Sequence, residues 1–134
     1  MKNFVVIACL LTISCAARLS EVKKFHNHFK TCVYELNVPE ELTIDVTKCL
    51  LQKYHAIDEQ GFIIPEQLFI NFQNMITNES KFYQAQAIAS SCINLAYEGP
   101  GSNDEKSLTA IKCGILIIKN LFDKEIRDIF EKAQ

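Results

Sequence analysis

CINLAYEGPGSNDEKSLTAIKC, residues 92–113, is the stretch that most strongly indicates the architecture of this chain. Apolar residues at helical spacing lead into Gly99-Pro100-Gly101, and a second helical pattern then runs to Cys113. We interpret the stretch as two helices joined by a tight turn, with one cysteine in each. A disulfide closing a loop of this length stabilises a protein by about 3 kcal/mol when its geometry is unstrained. Because disulfides form in oxidising compartments, the N-terminus bears on whether these cysteines pair.

The first 17 residues have the features of a secretory signal peptide. Lys2 gives a positive start, residues 4–13 are almost wholly apolar, and Ser14-Cys15-Ala16-Ala17 supplies small residues for cleavage. The apolar run is too short to span a bilayer. We therefore predict a signal peptide at residues 1–17, a single secreted, extracellular domain at residues 18–134, and no membrane anchor.

The mature chain is predicted to be mildly acidic and to contain two disulfides. The full chain has 14 basic and 16 acidic residues, so loss of Lys2 leaves 13 against 16 and a net charge of −3. This charge gives no basic surface for nucleic acid, and we expect no nucleic-acid partner. Cys9 and Cys15 leave with the signal, so four cysteines remain and predict two disulfides with three possible connectivities.

Apolar residues recur every three or four positions along the mature chain, which predicts an all-α domain of about six helices. Pro39 is predicted to begin the second helix, because proline suits a first helical turn. The pairs Cys32–Cys49 and Cys92–Cys113 fit this layout best, and the sequence leaves the crossed pairings open. Structural zinc ligands usually come in close pairs, whereas the nearest mature cysteines have 16 residues between them, so we expect no metal.

The sequence contains no pattern that indicates catalysis. No Ser, His and Asp arrangement forms a nucleophile elbow. The paired carboxylates Glu40-Glu41 and Asp104-Glu105 lie at predicted helix starts, where favourable interaction with the helix end explains them. We predict a protein that is not an enzyme and that uses no cofactor.

In its helical pattern and cysteine spacing, the chain resembles insect odorant-binding proteins of the pheromone-binding and general odorant-binding superfamily. Members have a signal peptide, about six helices and six cysteines. Cys32, Cys49, Cys92 and Cys113 match the first, third, fourth and sixth of these, and the segment between Cys49 and Cys92 has a length close to that of the family. The stretch DEQGF, residues 58–62, is also similar to the family sequence after the third cysteine.

The chain lacks two of the six cysteines of the family, and in this respect it resembles the four-cysteine, or C-minus, subgroup. The second and fifth cysteines of the family, which pair with each other, would fall at Asp45 and Asp104. Their joint absence leaves no orphan thiol, and we expect a shell that opens more easily. The segment between Cys32 and Cys49 is shorter than in the family, which predicts that its short second helix is trimmed or missing.

The resemblance implies a compact disulfide-braced domain around an apolar cavity, and a secreted carrier of small hydrophobic ligands such as an odorant, a pheromone or a fatty-acid-like compound. A chemoreceptor would be a further partner, and the protein would be a monomer or a weak homodimer. A ligand of about ten to sixteen carbons would reach micromolar affinity. Tyr54, Tyr83 or Tyr97 could donate a hydrogen bond to the ligand, and we choose Tyr54 because it lies one turn beyond Cys49. The predicted ligand-binding residues are this tyrosine and a set of apolar side chains: Tyr54, Leu68, Phe69, Phe72, Met75, Ile88, Leu95, Ile115, Ile118 and Phe122.

Several alternatives remain open at this stage. Each of the apolar side chains would simply be core in an ordinary helical domain. The same fold could serve a secreted salivary or venom-type interaction protein with no small ligand. A scavenger of biogenic amines is a third alternative, which needs an inward carboxylate that the apolar stripes do not supply. The C-terminal segment, residues 123–134, is predicted to form a helix that acts as a lid or as an extra packing element.

Overall fold

The computed structural model describes residues 20–21, 23–76 and 78–121. The predicted signal peptide, Phe122 and the predicted C-terminal helix lie outside these residues. Five helices occupy the described part: α1 (residues 23–36), α2 (Ile44–Lys53), α3 (Pro65–Met75), α4 (Glu79–Glu98) and α5 (Asn103–Leu121). The described residues form no strand beyond an isolated bridge between Ile57 and Ile63. The all-α prediction is therefore confirmed.

Short polar side chains fix where the helices begin. The Thr43 hydroxyl accepts a hydrogen bond from the Val46 amide at 3.2 Å, and the Asn78 side chain accepts one from the Lys81 amide at 3.0 Å. The Ser102 hydroxyl accepts from the Glu105 amide at 3.2 Å at the start of α5. These contacts satisfy amide groups that have no partner within the helix.

The predicted start of the second helix at Pro39 is wrong. No helix occupies residues 37–43, and α2 begins at Ile44. Val38, the residue before Pro39, has no side-chain acceptor for a helix cap, whereas Thr43 has one and uses it. Glu40 and Glu41 consequently lie in the connection, while Asp104 and Glu105 do occupy the first turn of α5 as predicted.

Both disulfides join neighbouring helices. Cys32 pairs with Cys49 and ties α1 to α2, and Cys92 pairs with Cys113 and ties α4 to α5. The local pairing is confirmed and the crossed pairings are excluded. Antiparallel α4 and α5 follow from the short turn at residues 99–102.

The buried side chains form two clusters. The first surrounds the Cys32–Cys49 disulfide and includes Phe29, Val46 and Leu50. The second lies between α3, α4, α5 and the loop after α2; its members are Ala56, Ile57, Ile63, Leu68, Ala89, Ile93, Ala96 and Ala110. Within the described residues, no helix has both the length and the apolar character needed to cross a membrane.

The loop between α2 and α3 is fastened to α4 through Tyr97. The Tyr97 hydroxyl donates to the Gly61 carbonyl at 2.7 Å and accepts from the Ile63 amide at 3.0 Å. Within the loop, Asp58 Oδ1 accepts from the amides of Gln60 and Phe62, both at 2.9 Å. These bonds hold Ile63 against the second cluster, where it is 7% exposed.

Candidate functional site

A cavity of about 200 Å³ lies between the helices. Each of the five contributes to its wall, for example through Phe25 of α1, Leu50 of α2, Leu68 of α3, Ile93 of α4 and Ile115 of α5. Packed helices leave such a space where the apolar side chains that face each other are too small to fill it. The cavity therefore lies where the two buried clusters meet, in the middle of the domain.

The cavity wall is almost entirely apolar. Only four of its described residues carry a polar side chain: Thr47, Tyr54, Asn71 and Lys119. The Thr47 hydroxyl donates to the Thr43 carbonyl at 2.7 Å, so its proton is already used. Lys119 lies in the last turn of α5. Tyr54 and Asn71 are thus the neutral hydrogen-bond donors that remain in the wall.

Tyr54 is held at the C-terminal cap of α2 by contacts to its ring. The His28 ring meets it edge-on with centroids 5.1 Å apart, and Lys24 Nζ lies 5.6 Å from the ring centroid. Burial raises the pKa of the Tyr54 hydroxyl to about 12, with a smaller contribution from the negative charge of Glu21. At neutral pH this hydroxyl is therefore protonated and able to donate.

The Tyr54 hydroxyl and the Asn71 amide nitrogen are both buried, and neither has a hydrogen-bond partner among the described residues. The other end of the Asn71 amide is oriented, because Asn71 Oδ1 accepts from Gln67 Nε2 at 3.4 Å within α3. A buried donor without a partner is costly, and folded proteins rarely keep one. Packing alone does not explain why two residues that line one apolar cavity each carry such a donor.

The cavity brings together half of the predicted ligand-binding residues. Tyr54, Leu68, Phe72, Met75 and Ile115 all line it. Their role in binding stays a prediction, but their common location is a property of the fold.

The remaining predicted residues lie elsewhere. Phe69 packs against the second buried cluster, and Ile88 is half-buried on α4; neither lines the cavity. Leu95 is 65% exposed on the outer face of α4, because it follows Ile93 by two positions and so points away from the core. Ile118 lies on α5 with its side chain outside the described part, and Phe122 lies beyond it.

Sequence reasoning missed two kinds of wall residue. Ala89, Ala110 and Gly114 are small residues of α4 and α5 that line the cavity and leave its space unfilled. Asn71 was missed although it interrupts the apolar stripe of α3 between Leu68 and Met75. A lone polar residue on an apolar stripe, and small residues on the facing helices, are the signals that could have found them.

The described residues contain no cluster of three or more His, Cys, Asp or Glu side chains that could hold a metal ion. The described residues around the cavity can bury apolar surface of a ligand and form hydrogen bonds with it. An apolar space between helices with a few donors suits a small, mostly hydrocarbon molecule that has one polar group.

The model of the ant venom allergen Sol i 2 family matches residues 31–118. This match covers about two-thirds of the chain, contains both disulfides and includes nearly the whole cavity wall. No match was found among solved structures. The chain belongs to the ant venom allergen Sol i 2 family.

Proposed function

We propose that this protein is a secreted carrier that encloses a small hydrophobic ligand in the interhelical cavity. The observation that carries the proposal is the apolar cavity of about 200 Å³, whose wall is built from all five described helices. Secretion is supported by the signal-like N-terminus, the two disulfides and the venom allergen family. The four-cysteine resemblance to odorant-binding proteins supports the carrier role. The proposal includes no catalytic step, cofactor or metal.

The volume of the cavity limits the size of the ligand. A dry apolar cavity of about 150 Å³ binds benzene, and sites for larger ligands begin at about 300 Å³. A space of about 200 Å³ therefore suits a molecule of about eight carbons, which is smaller than the ten to sixteen carbons expected from affinity alone. Burying eight methylene equivalents gains about 6 kcal/mol, which corresponds to a Kd between micromolar and millimolar.

The family membership favours a second candidate function. A venom-type protein could act by contacting another protein, and the cavity would then be a by-product of loose packing. The two candidates differ in one measurable respect, because only the carrier needs the cavity to be accessible to a ligand.

The test is displacement of a fluorescent hydrophobic probe from the full secreted chain by ethylbenzene. Ala89→Leu fills the cavity with three additional heavy atoms, since Ala89 is buried in its wall. Ala87→Leu is the matched control, because Ala87 is exposed on the same helix. We expect Ala89→Leu to weaken probe and ethylbenzene binding at least about tenfold and Ala87→Leu to leave both unchanged. Absence of binding to the parent protein, or equal binding to both variants, would favour the interaction-protein candidate.

A further inference from the structure

The two unpartnered donors on the cavity wall come from different helices. Tyr54 caps α2, and Asn71 lies in the middle of α3. In each residue the group without a partner can donate a hydrogen bond, and the atom that carries the proton is buried. The rest of the described wall offers Thr47, whose proton is used, and Lys119 at one end. Both unpartnered groups can donate to an acceptor, and the Asn71 amide nitrogen can only donate.

We propose that Tyr54 and Asn71 form a polar subsite that selects ligands with a neutral carbonyl oxygen, such as a ketone, an aldehyde or an ester. A carbonyl oxygen accepts two hydrogen bonds and donates none, so it can accept from both the Tyr54 hydroxyl and the Asn71 amide without needing an acceptor in return. The inference rests on the proposed carrier function and adds a chemical class to the ligand.

Other functional groups suit this wall less well. A pure hydrocarbon would leave both donors buried without partners. A carboxylate would bring a full negative charge into an apolar space, which is costly unless a cation is placed to pair with it. Lys119 is the one cationic side chain among the described wall residues, and it lies in the last turn of α5, on a different helix from the two donors.

The ring contacts of Tyr54 prepare the subsite before a ligand arrives. The edge contact with His28 and the position of Lys24 over the ring restrict its rotation. The bond from Gln67 to Asn71 Oδ1 leaves the amide nitrogen as the free end. A preformed pair of donors loses little conformational freedom on binding, so selectivity for an acceptor can be large for a small ligand.

The experiment compares ethylbenzene with acetophenone, which have the same ring and chain length and differ by a carbonyl in place of a methylene. Binding of both is measured for the parent chain, Tyr54→Phe and Asn71→Leu. Tyr83→Phe and Asn74→Leu are matched controls, because Tyr83 is 63% exposed on α4 and Asn74 is exposed on α3. The ratio of the two Kd values within each protein removes the difference in hydration between the ligands.

We expect the preference for acetophenone over ethylbenzene to fall about threefold to tenfold in each subsite variant and to stay unchanged in each control. Ethylbenzene should bind the Tyr54→Phe variant at least as well as the parent. In the parent chain, acetophenone but not ethylbenzene should shift the side-chain amide NMR signals of Asn71, a readout that needs no variant to fold.

Three results would overturn the proposal. If ethylbenzene binds but the ratio of Kd values is unchanged within twofold in both subsite variants, the subsite fails while the carrier function stands. If benzoate binds more tightly than acetophenone, the cavity selects acids. If neither neutral ligand binds the parent chain and the Asn71 signals do not move, the carrier function itself fails and the subsite fails with it.

Discussion

Lys48 Nζ lies 3.7 Å from Asp104 Oδ1, so an ion pair joins α2 to the first turn of α5. Asp104 and Asp45 stand where the resemblance to odorant-binding proteins places a third disulfide. Asp104 pairs instead with Lys48, which lies one turn after Asp45. An exposed ion pair contributes about 0.2–1 kcal/mol, much less than the 2–4 kcal/mol typical of a disulfide. The connection of α2 to α5 therefore depends mainly on packing.

The first prediction concerns the strength of this ion pair. Asp104 is 76% exposed and Lys48 20% exposed, so solvent and salt screen the attraction. A double-mutant cycle with Lys48→Met and Asp104→Asn should give a coupling free energy below about 1 kcal/mol in urea unfolding. The cycle is needed because Asp104 also interacts with the positive end of α5. A coupling that exceeds about 2 kcal/mol, or that persists in high salt, would contradict the assignment as a weak surface pair.

The second prediction concerns Gly61, which has a φ of +90° and lies against the start of α5. A Cβ at this position would be 2.9 Å from Asp104 Oδ1 and 3.1 Å from the Asp104 amide nitrogen. Gly61→Ala should therefore lower the free energy of unfolding by about 1–3 kcal/mol through backbone strain and close contact.

Gly99→Ala is the control for this substitution. Gly99 has a φ of −82°, and its added Cβ would meet the Ala96 carbonyl oxygen at an ordinary 3.5 Å. Its unfolding free energy should stay within about 1 kcal/mol of the parent value. Equal losses in the two variants would show that the left-handed backbone at Gly61 is not the cause.

The sequence predicts best the features that depend on local periodicity. The apolar stripes of α3, α4 and α5 follow the helical repeat, and Cys92 and Cys113 lie on stripes that a short turn brings together, so their pairing could be predicted. Periodicity gives the buried face of a helix, but it does not give the depth of each residue below the surface. Ile93 and Leu95 show the difference, since Ile93 is 8% exposed and Leu95 is 65% exposed on the same helix.

The polar part of the site could not be predicted in full for a different reason. Tyr54 was identified by its place one turn after Cys49, which is a local relationship. Asn71 becomes significant only when its amide nitrogen is seen to be buried without a partner, and this depends on how the helices pack in three dimensions. The volume of the cavity likewise depends on Ala89 and Ala110 of two facing helices, which no single stripe reveals.

The third prediction concerns the hydroxyl of Tyr97, which fastens the loop to α4. Tyr97→Phe removes the bonds to the Gly61 carbonyl and the Ile63 amide, and it should lower the free energy of unfolding by about 1–3 kcal/mol. Tyr83→Phe removes an exposed hydroxyl on the same helix and should change it by less than about 0.5 kcal/mol.

Hydrogen exchange gives the site-specific readout for Tyr97. The Ile63 amide should exchange faster in Tyr97→Phe, because its acceptor is gone, while the Ile64 amide keeps its bond to the Ala56 carbonyl at 2.7 Å. Unchanged protection of the Ile63 amide would show that the Tyr97 hydroxyl does not hold the loop.

The last prediction uses the pKa of Tyr54, which burial raises from 10.0 to about 12. The folded protein holds this proton more tightly than the unfolded chain, so between those two pH values the folded state binds more protons. The associated stability is complete below pH 10 and is lost as the pH rises toward about 12. Tyrosinate absorbance of the folded Tyr97→Phe chain should therefore show a late phase that is lost when Tyr54→Phe is added and retained when Tyr34→Phe is added. The Tyr97→Phe background is needed because burial also raises the pKa of Tyr97. If Tyr97→Phe alone showed no late phase, the Tyr54 hydroxyl would be in water rather than in the cavity wall.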